Sequence, residues 1–208
     1  MSKKAIFYIV FFVALSAMFV GYNAYVIKDE TGSYYGKEKL PYLGSPGHEV
    51  QGFSFVNQEG KTITKDSVKG KFYVAEYFFT TCTGICPRMN ENMEKVYEAY
   101  KDDPNFRILS HTVDPEYDSV PILKAYAEKH HADAKNWWFL TGSKKMLYKL
   151  ARESYLVDDG HYTGDEDFVH TQWFALVDGK GRIRGLYEGT KKSDINKLIK
   201  DIDRLRTE

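Results

Sequence analysis

The chain has 208 residues, of which 43% are hydrophobic and 15% aromatic, and its 29 basic residues balance its 29 acidic ones. A formal net charge of zero argues against a nucleic-acid partner held through phosphate contacts. About 160 residues follow the first 47, which is enough for one domain with a proper core and too few for two ordinary domains.

The first predicted element is a membrane-spanning helix. Lys3 and Lys4 precede an uncharged stretch at residues 5–27, which is long enough to cross a bilayer. A cleaved signal peptide is the competing interpretation, but its apolar region is usually shorter, and no convincing A-x-A-like cleavage site follows Val13. The two lysines favour a cytoplasmic N-terminus. The rest of the chain is therefore predicted to lie outside the cytoplasm, in the periplasm if bacterial or in the intermembrane space if mitochondrial.

A charged stretch rich in Gly, Tyr and Pro follows at residues 28–47 and is typical of a tether. The sequence thus predicts an anchor at 1–27, a tether at 28–47 and one domain at 48–208.

Within that domain, short apolar runs alternate with segments of helical periodicity. This order predicts an α/β sandwich in which helices flank a central mixed sheet. Strands are predicted at 53–56, 62–64, 72–79, 106–113, 137–140, 174–177 and 183–187, with hairpins at the beginning and the end. Helices are predicted from Pro87 to about 103, at about 122–131, at about 146–151 and at about 195–205.

Methionines on two of these helices are predicted to face the core. Met89 and Met93 share the apolar face of the helix that begins at Pro87, so they are interpreted as packing residues and not as thioether ligands. Met146 is likewise predicted to point inward.

The only two cysteines, Cys82 and Cys86, lie on the turn between the predicted strand at 72–79 and the helix that begins at Pro87. Proline suits the first helical position, which places Cys86 at or just before the helix start. Unpaired backbone N–H groups and the positive end of the helix dipole would then point at the sulfurs. The sequence therefore predicts lowered thiol pKa values, which favour the reactive thiolate.

This cysteine pair admits three interpretations: a structural disulfide, a redox dithiol, or half of a metal site. A bridge that encloses only three residues removes little loop entropy from the unfolded chain, so it would stabilise the fold weakly. The structural disulfide is therefore disfavoured, and the two active interpretations stay open.

Three separated motifs resemble the Sco/SenC family of membrane-anchored, thioredoxin-like copper chaperones of cytochrome c oxidase assembly. The resemblance runs from about residue 47 to the C-terminus, with the motifs in the right order and spacing. The motifs are the turn at 82–87 after an aromatic strand, residues 112–115 with Asp118, and Val169-His170 before a strand that ends at residues 177–179.

The resemblance implies that Cys82, Cys86 and His170 are copper ligands. Two thiolates select Cu(I), and an imidazole also accepts Cu(II), so this set can hold either oxidation state. Zinc is the alternative metal, but a structural zinc site usually has four protein ligands. A disulfide between the cysteines would leave no thiolate for the metal, so the thiol redox state would gate copper loading.

This chain departs from the family pattern near the site. Many members have an acidic residue inside the cysteine loop, another after the proline, and Asp directly before the histidine. Here those positions hold Thr83, Gly84, Arg88 and Val169. Acidic residues at 165–167 would supply negative charge nearby.

Five further histidines are weaker candidates. His161, in a polar loop, is an outside candidate for an extra ligand or a partner contact. His130 and His131 close a predicted helix, where the dipole favours a cation. His111 is interpreted as packed in a strand, and His48 as part of the tether.

Two functions from different classes remain. The first is a chaperone that delivers copper to the dinuclear copper centre of cytochrome c oxidase. Its partner would be the copper-bearing subunit, and another copper chaperone or a thiol reductase is a further candidate partner. The second is an extracytoplasmic thiol-disulfide oxidoreductase. Against it, the cysteine spacing is wider than C-x-x-C, and no proline precedes the strand at 171.

A peroxidase is disfavoured because Phe79 stands where the Thr-x-x-Cys pattern requires threonine.

Overall fold

The computed structural model describes residues 3–30, 39–157 and 171–208, which fall into two units, Met1–Lys39 and Leu40–Glu208. The first unit contains helix α1, Lys3–Glu30. By length and composition, α1 is able to cross a membrane, and its most apolar window is Lys4–Gly21.

The second unit begins earlier than the boundary predicted at residue 48. Leu40 is buried, and Leu43 packs against the core. The Leu43 N–H donates to the carbonyl of Ile183 over 2.9 Å. His48, which was predicted to lie in the tether, donates from Nε2 to the Ser154 carbonyl over 2.8 Å. Residues 40–48 therefore belong to the compact unit. Although this stretch is rich in Gly and Pro, a few apolar contacts and hydrogen bonds attach it to the core.

Seven strands in the described part of the second unit form one mixed sheet, which confirms the predicted architecture. Its order is β2-β1-β5-β4-β3-β6-β7; the central strands β5, β4 and β3 are parallel and the outer pairs antiparallel. The strands are β1 Ser54–Asn57, β2 Thr62–Thr64, β3 Phe72–Phe78, β4 Phe106–Thr112, β5 Trp137–Thr141, β6 Trp173–Val177 and β7 Ile183–Glu188.

Helices cover both faces of this sheet. The segment that forms each helix carries apolar residues at helical spacing. They are α2 Cys86–Tyr100, α3 Val120–Lys129, α4 Lys144–Lys149 and α5 Lys192–Leu205, with a 3-10 turn at Lys65–Val68 and a π-helical turn at Leu150–Ser154.

The methionine predictions divide. Met89 and Met93 are buried in the core beneath α2, as predicted. The prediction for Met146 is wrong, because its side chain is 43% exposed. Tyr148 is buried instead and donates a hydrogen bond of 2.8 Å to the Val113 carbonyl. Helix α4 is thus turned so that its tyrosine faces the core, which carries Met146 to the solvent side.

The start and the end of the compact unit meet at one buried arginine. The Arg184 side chain is 1% exposed and donates to the Leu40 carbonyl over 2.7 Å. It also pairs with the carboxylates of Asp178 and Glu208. Arg184 therefore ties the first residues of the unit to its last one.

We expect Arg184→Ala to lower the free energy of unfolding by about 3–5 kcal/mol, because it leaves buried acceptors and a carboxylate without their cation. Arg182→Ala is the matched control. It pairs with the same Asp178 carboxylate from a side chain that is 30% exposed, so its loss should cost at most about 1 kcal/mol. Denaturant unfolding followed by tryptophan fluorescence measures both, and equal losses would contradict the assignment.

Candidate metal centre

The two cysteines lie at the carboxyl end of β3, a central strand that runs parallel to β4. Cys86 is the first residue of α2 and Pro87 the second, so the predicted strand-to-helix turn is confirmed. Cys82 is partly exposed and Cys86 is 5% exposed; both are free thiols. In α/β sheets this end of the strands is where ligands usually bind.

Both cysteines line one depression of about 360 Å³. Its wall includes Ile85 from the cysteine turn, Val113, which directly follows β4, and Thr171, which precedes β6. The wall therefore comes from three separate segments of the chain. A small ion or a partner's side chain could reach both sulfurs from this depression.

The prediction of a lowered thiol pKa is wrong for Cys86. Burial raises the pKa of Cys86 far above its ordinary value, and the hydrogen bonding and charge of Cys82 raise it further. A hydrogen bond with the Phe79 backbone acts in the opposite direction, while the charge of Glu76 adds a smaller increase. Desolvation thus outweighs the helix start, because Cys86 faces the interior. A metal bound by the Cys86 sulfur would have to displace its proton.

A buried glutamate lies on β3, the strand that leads into the cysteine turn. Glu76 is fully buried, and its Oε1 accepts a hydrogen bond of 2.6 Å from Ser110 Oγ. Ser110 in turn accepts one of 2.9 Å from Trp137 Nε1. Burial raises the pKa of Glu76 to about 7, although the Ser110 hydrogen bond opposes this. Glu76 was assigned no role from the sequence alone. The signal that pointed to it is a single carboxylate within an otherwise aromatic and apolar strand.

A second buried carboxylate explains part of the motif at 112–118. Asp118 accepts hydrogen bonds from the hydroxyl groups of Thr80 and Thr112. The Thr80 N–H also donates to Asp118 Oδ2, over 3.2 Å. This cluster joins the segment after β4 to the turn that carries Cys82.

Several predicted residues lie outside the described residues: His170, His161 and the acidic stretch at 165–167. Thr171, the chain neighbour of His170, is described and lines the depression with the cysteines. Within residues 3–30, 39–157 and 171–208, no group of three His, Cys, Asp or Glu side chains is placed to hold a metal ion.

The other described histidines have structural surroundings. His111 is fully buried on β4 among aromatic rings, as its packed interpretation predicts. His130 caps the C-terminus of α3 and bonds from Nδ1 to Glu94 Oε1 over 2.7 Å. His131 follows with a positive φ of 52°. None of these three lines the depression that the cysteines share.

Comparison with known proteins places these features in a family. The SCO1/SenC family model matches residues 44–207. A SCO1 protein homolog of Bacillus subtilis (strain 168) is 32% identical over 157 residues, which are 74% of this chain and 81% of that protein.

Solved structures are similar over the same region. A structure of BsSco, a member of the Sco family of cytochrome c oxidase assembly proteins in which a disulfide switch was identified, has a TM-score of 0.68 and 32% identity. That match covers 82% of this chain and 99% of BsSco. ScoI of Bradyrhizobium japonicum with copper bound has a TM-score of 0.60 and 25% identity over 76% of this chain and 99% of that one. These matches confirm the predicted thioredoxin-like α/β fold, and the chain belongs to the SCO1/SenC family.

Proposed function

We propose that this protein is a membrane-anchored copper chaperone that delivers copper to the dinuclear copper centre of cytochrome c oxidase. Its copper ligands are Cys82, Cys86 and His170, and its partner is the copper-bearing subunit of the oxidase. The observation that carries the proposal is the pair of free thiols on one strand-to-helix turn, lining one depression.

The relatives support the cargo and the partner. Bradyrhizobium japonicum ScoI has a structure with copper bound, and BsSco belongs to a family of cytochrome c oxidase assembly proteins. Both resemble this chain over at least three quarters of its length. Copper is the cargo in this proposal, so the site must release it as well as bind it.

The donor chemistry fits copper. Two thiolates prefer the soft Cu(I) ion, and an added imidazole also suits Cu(II). Thr171 lines the depression and is bonded directly to His170 in the chain, which supports the imidazole as third ligand. The partial exposure of Cys82 leaves one sulfur accessible to a partner, while Cys86 is shielded from solvent.

The anchor is part of the proposal. Helix α1 has the length and composition for a membrane span, with lysines at its N-terminus. Residues 1–27 would hold the protein in the membrane, and Lys3 and Lys4 would keep the N-terminus in the cytoplasm. The metal-binding domain would then lie outside the cytoplasm, next to the oxidase subunit that it serves.

A thiol-disulfide oxidoreductase is the second candidate. The observation that favours it is the contrast between a partly exposed Cys82 and a buried Cys86. An exposed sulfur can attack a partner's disulfide, and a buried neighbour can then resolve the mixed disulfide. The partner in that case would be a protein whose cysteines must be kept reduced.

Copper titration of the full chain in detergent tests the first candidate. We expect the reduced protein to bind one Cu(I) per chain and the disulfide form to bind little. Copper that binds only the folded state adds about 4 kcal/mol of stability when free copper is about a thousand times its dissociation constant. Melting should therefore shift with copper in the reduced sample alone. Equal copper uptake by a verified disulfide form would contradict the proposal.

His170→Ala separates the two candidates. A chaperone loses a ligand, so the variant should bind copper much more weakly and fail to load the oxidase, while Cys82 and Cys86 still exchange their disulfide. An oxidoreductase should keep most of its function without this imidazole. His131→Asn is the matched control, because it removes a different histidine and asparagine tolerates the positive φ at that position. Full oxidase assembly with His170→Ala at normal expression would refute the chaperone.

A further inference from the structure

We propose that Asp118 is a positioning residue for the cysteine pair. It fastens the turn that carries Cys82 to the segment after β4, and it thereby sets how readily Cys82 and Cys86 form their disulfide. The inference rests on the proposed function only in that both concern the same dithiol.

The Asp118 carboxylate is fully buried and accepts hydrogen bonds from both sides of the contact. On the cysteine side it holds Thr80 twice, through the backbone N–H at 3.2 Å and through the hydroxyl group. On its own side it accepts from the hydroxyl group of Thr112, the last residue of β4. A buried carboxylate with several donors is a strong fastening point, since removing the carboxylate leaves every one of those donors without its acceptor.

Asp118 is itself held rigidly. Its N–H donates to the Asp114 carbonyl over 2.8 Å, and the Asp114 N–H donates to Thr112 Oγ1 over 2.9 Å. The segment after β4 is fixed to β3, because the Val113 N–H donates to the Phe78 carbonyl over 2.9 Å. The carboxylate therefore belongs to a segment with a fixed position relative to the sheet.

Thr80 passes this constraint to the cysteines. It lies two residues before Cys82, whose N–H donates to the Phe79 carbonyl over 3.2 Å to close the turn. Cys86 is fixed independently, as the first residue of α2. The contact between Thr80 and Asp118 thus holds one sulfur in place relative to the other.

Disulfide formation depends on this placement. The S–S bond requires a narrow range of separation and dihedral angle, so two thiols held close together have a high effective concentration. With glutathione disulfide as oxidant, the two cysteine thiols form one S–S bond, and their two hydrogens and two electrons pass to glutathione, which leaves as two thiol molecules. Loosening the Thr80 contact should lower the equilibrium constant of this exchange.

The test measures that constant for the full chain in detergent, in glutathione buffers without copper. We expect Asp118→Ala to lower it by at least about tenfold, which corresponds to a reduction potential about 30 mV less negative. Asp201→Ala is the matched control. Asp201 is also buried and accepts a 2.8 Å hydrogen bond from the Tyr187 hydroxyl, far from the cysteines in the chain. Its loss should lower the melting temperature and leave the glutathione equilibrium unchanged.

An Asp118→Ala protein that melts earlier but keeps the wild-type equilibrium constant would overturn the inference. If that variant does not fold, Thr80→Val decides, because it removes only the hydroxyl donor and should give a smaller decrease; an unchanged constant in Thr80→Val would then refute the role of Asp118. The glutathione equilibrium is measured without copper, so the two proposals can fail separately. If the protein does not bind copper but Asp118→Ala still lowers the glutathione equilibrium constant, only the chaperone proposal is refuted. If the protein binds copper normally but Asp118→Ala leaves that constant unchanged, only the positioning role is refuted.

Discussion

Acidification from about pH 7 to about pH 4 should destabilise this protein by about 3 kcal/mol through His111 alone, and by about 5 kcal/mol once the pH is well below the folded-state pKa. Burial lowers the pKa of His111 from its ordinary 6.5 to about 3. Neither ring nitrogen has a hydrogen-bond partner in the described part of the chain. Tyr77 and Phe55 pack against the imidazole, with ring centroids at 5.1 and 5.5 Å. None of these contacts gives the ring a carboxylate or a hydrogen-bond acceptor that would offset the loss of water around a positive charge.

The direction follows from proton binding. Between pH 6.5 and about 3 the unfolded state holds a proton on His111 that the folded state rejects, so stability is present above 6.5 and is lost as the pH falls. His111→Leu removes this titration and two unsatisfied nitrogens, so it should be near neutral or stabilising at about pH 7. In this variant we expect the free energy of unfolding, measured with denaturant, to fall less steeply as the pH decreases below 6.5. His131→Asn, an exposed control, should retain the wild-type slope, and an unchanged slope in His111→Leu would contradict the prediction.

Glu76 should produce the second large pH effect, with the opposite sign. Its pKa rises from an ordinary 4.5 to about 7, chiefly because the carboxyl group is buried. The folded state therefore keeps a proton that the unfolded state releases. The stability from the protonated form is complete below pH 4.5 and is lost as the pH rises through about 7, a decrease of about 3 kcal/mol.

Glu76→Gln tests this prediction, since its amide oxygen can still accept from Ser110 and it cannot ionise. We expect the variant to gain about 3 kcal/mol over the parent at about pH 8.5 and to show little difference at about pH 4. The two windows overlap between 4.5 and 6.5, so the measurement belongs in the His111→Leu background. The disulfide form should be used, because no thiol titrates in it. A parent whose stability is flat between about pH 5 and pH 8.5 in that background would refute the assignment.

The architecture was predictable because its signals are local. Strand and helix periodicities reflect side chains that alternate across a strand or recur on one helix face, and both can be read from a few neighbouring residues. The turn at Cys82 and Cys86 was located for the same reason, since an aromatic strand precedes it and Pro87 follows it. Burial of Met89 and Met93 followed from the same helical spacing.

The direction of the Cys86 pKa was not predictable, because it depends on desolvation by segments distant in the chain, and the helix-start argument contained only the local part of the electrostatics. Glu76 and Asp118 were unassigned for a related reason: their partners Ser110 and Thr80 lie 34 and 38 residues away. The sequence alone determined the order of elements, the position of the thiols and the family motifs. Only the tertiary structure decided which polar groups are buried away from water and which segments hold the cysteine turn. Both depend on where the folded chain brings distant segments together, because that placement sets the solvation of each group and its long-range hydrogen bonds.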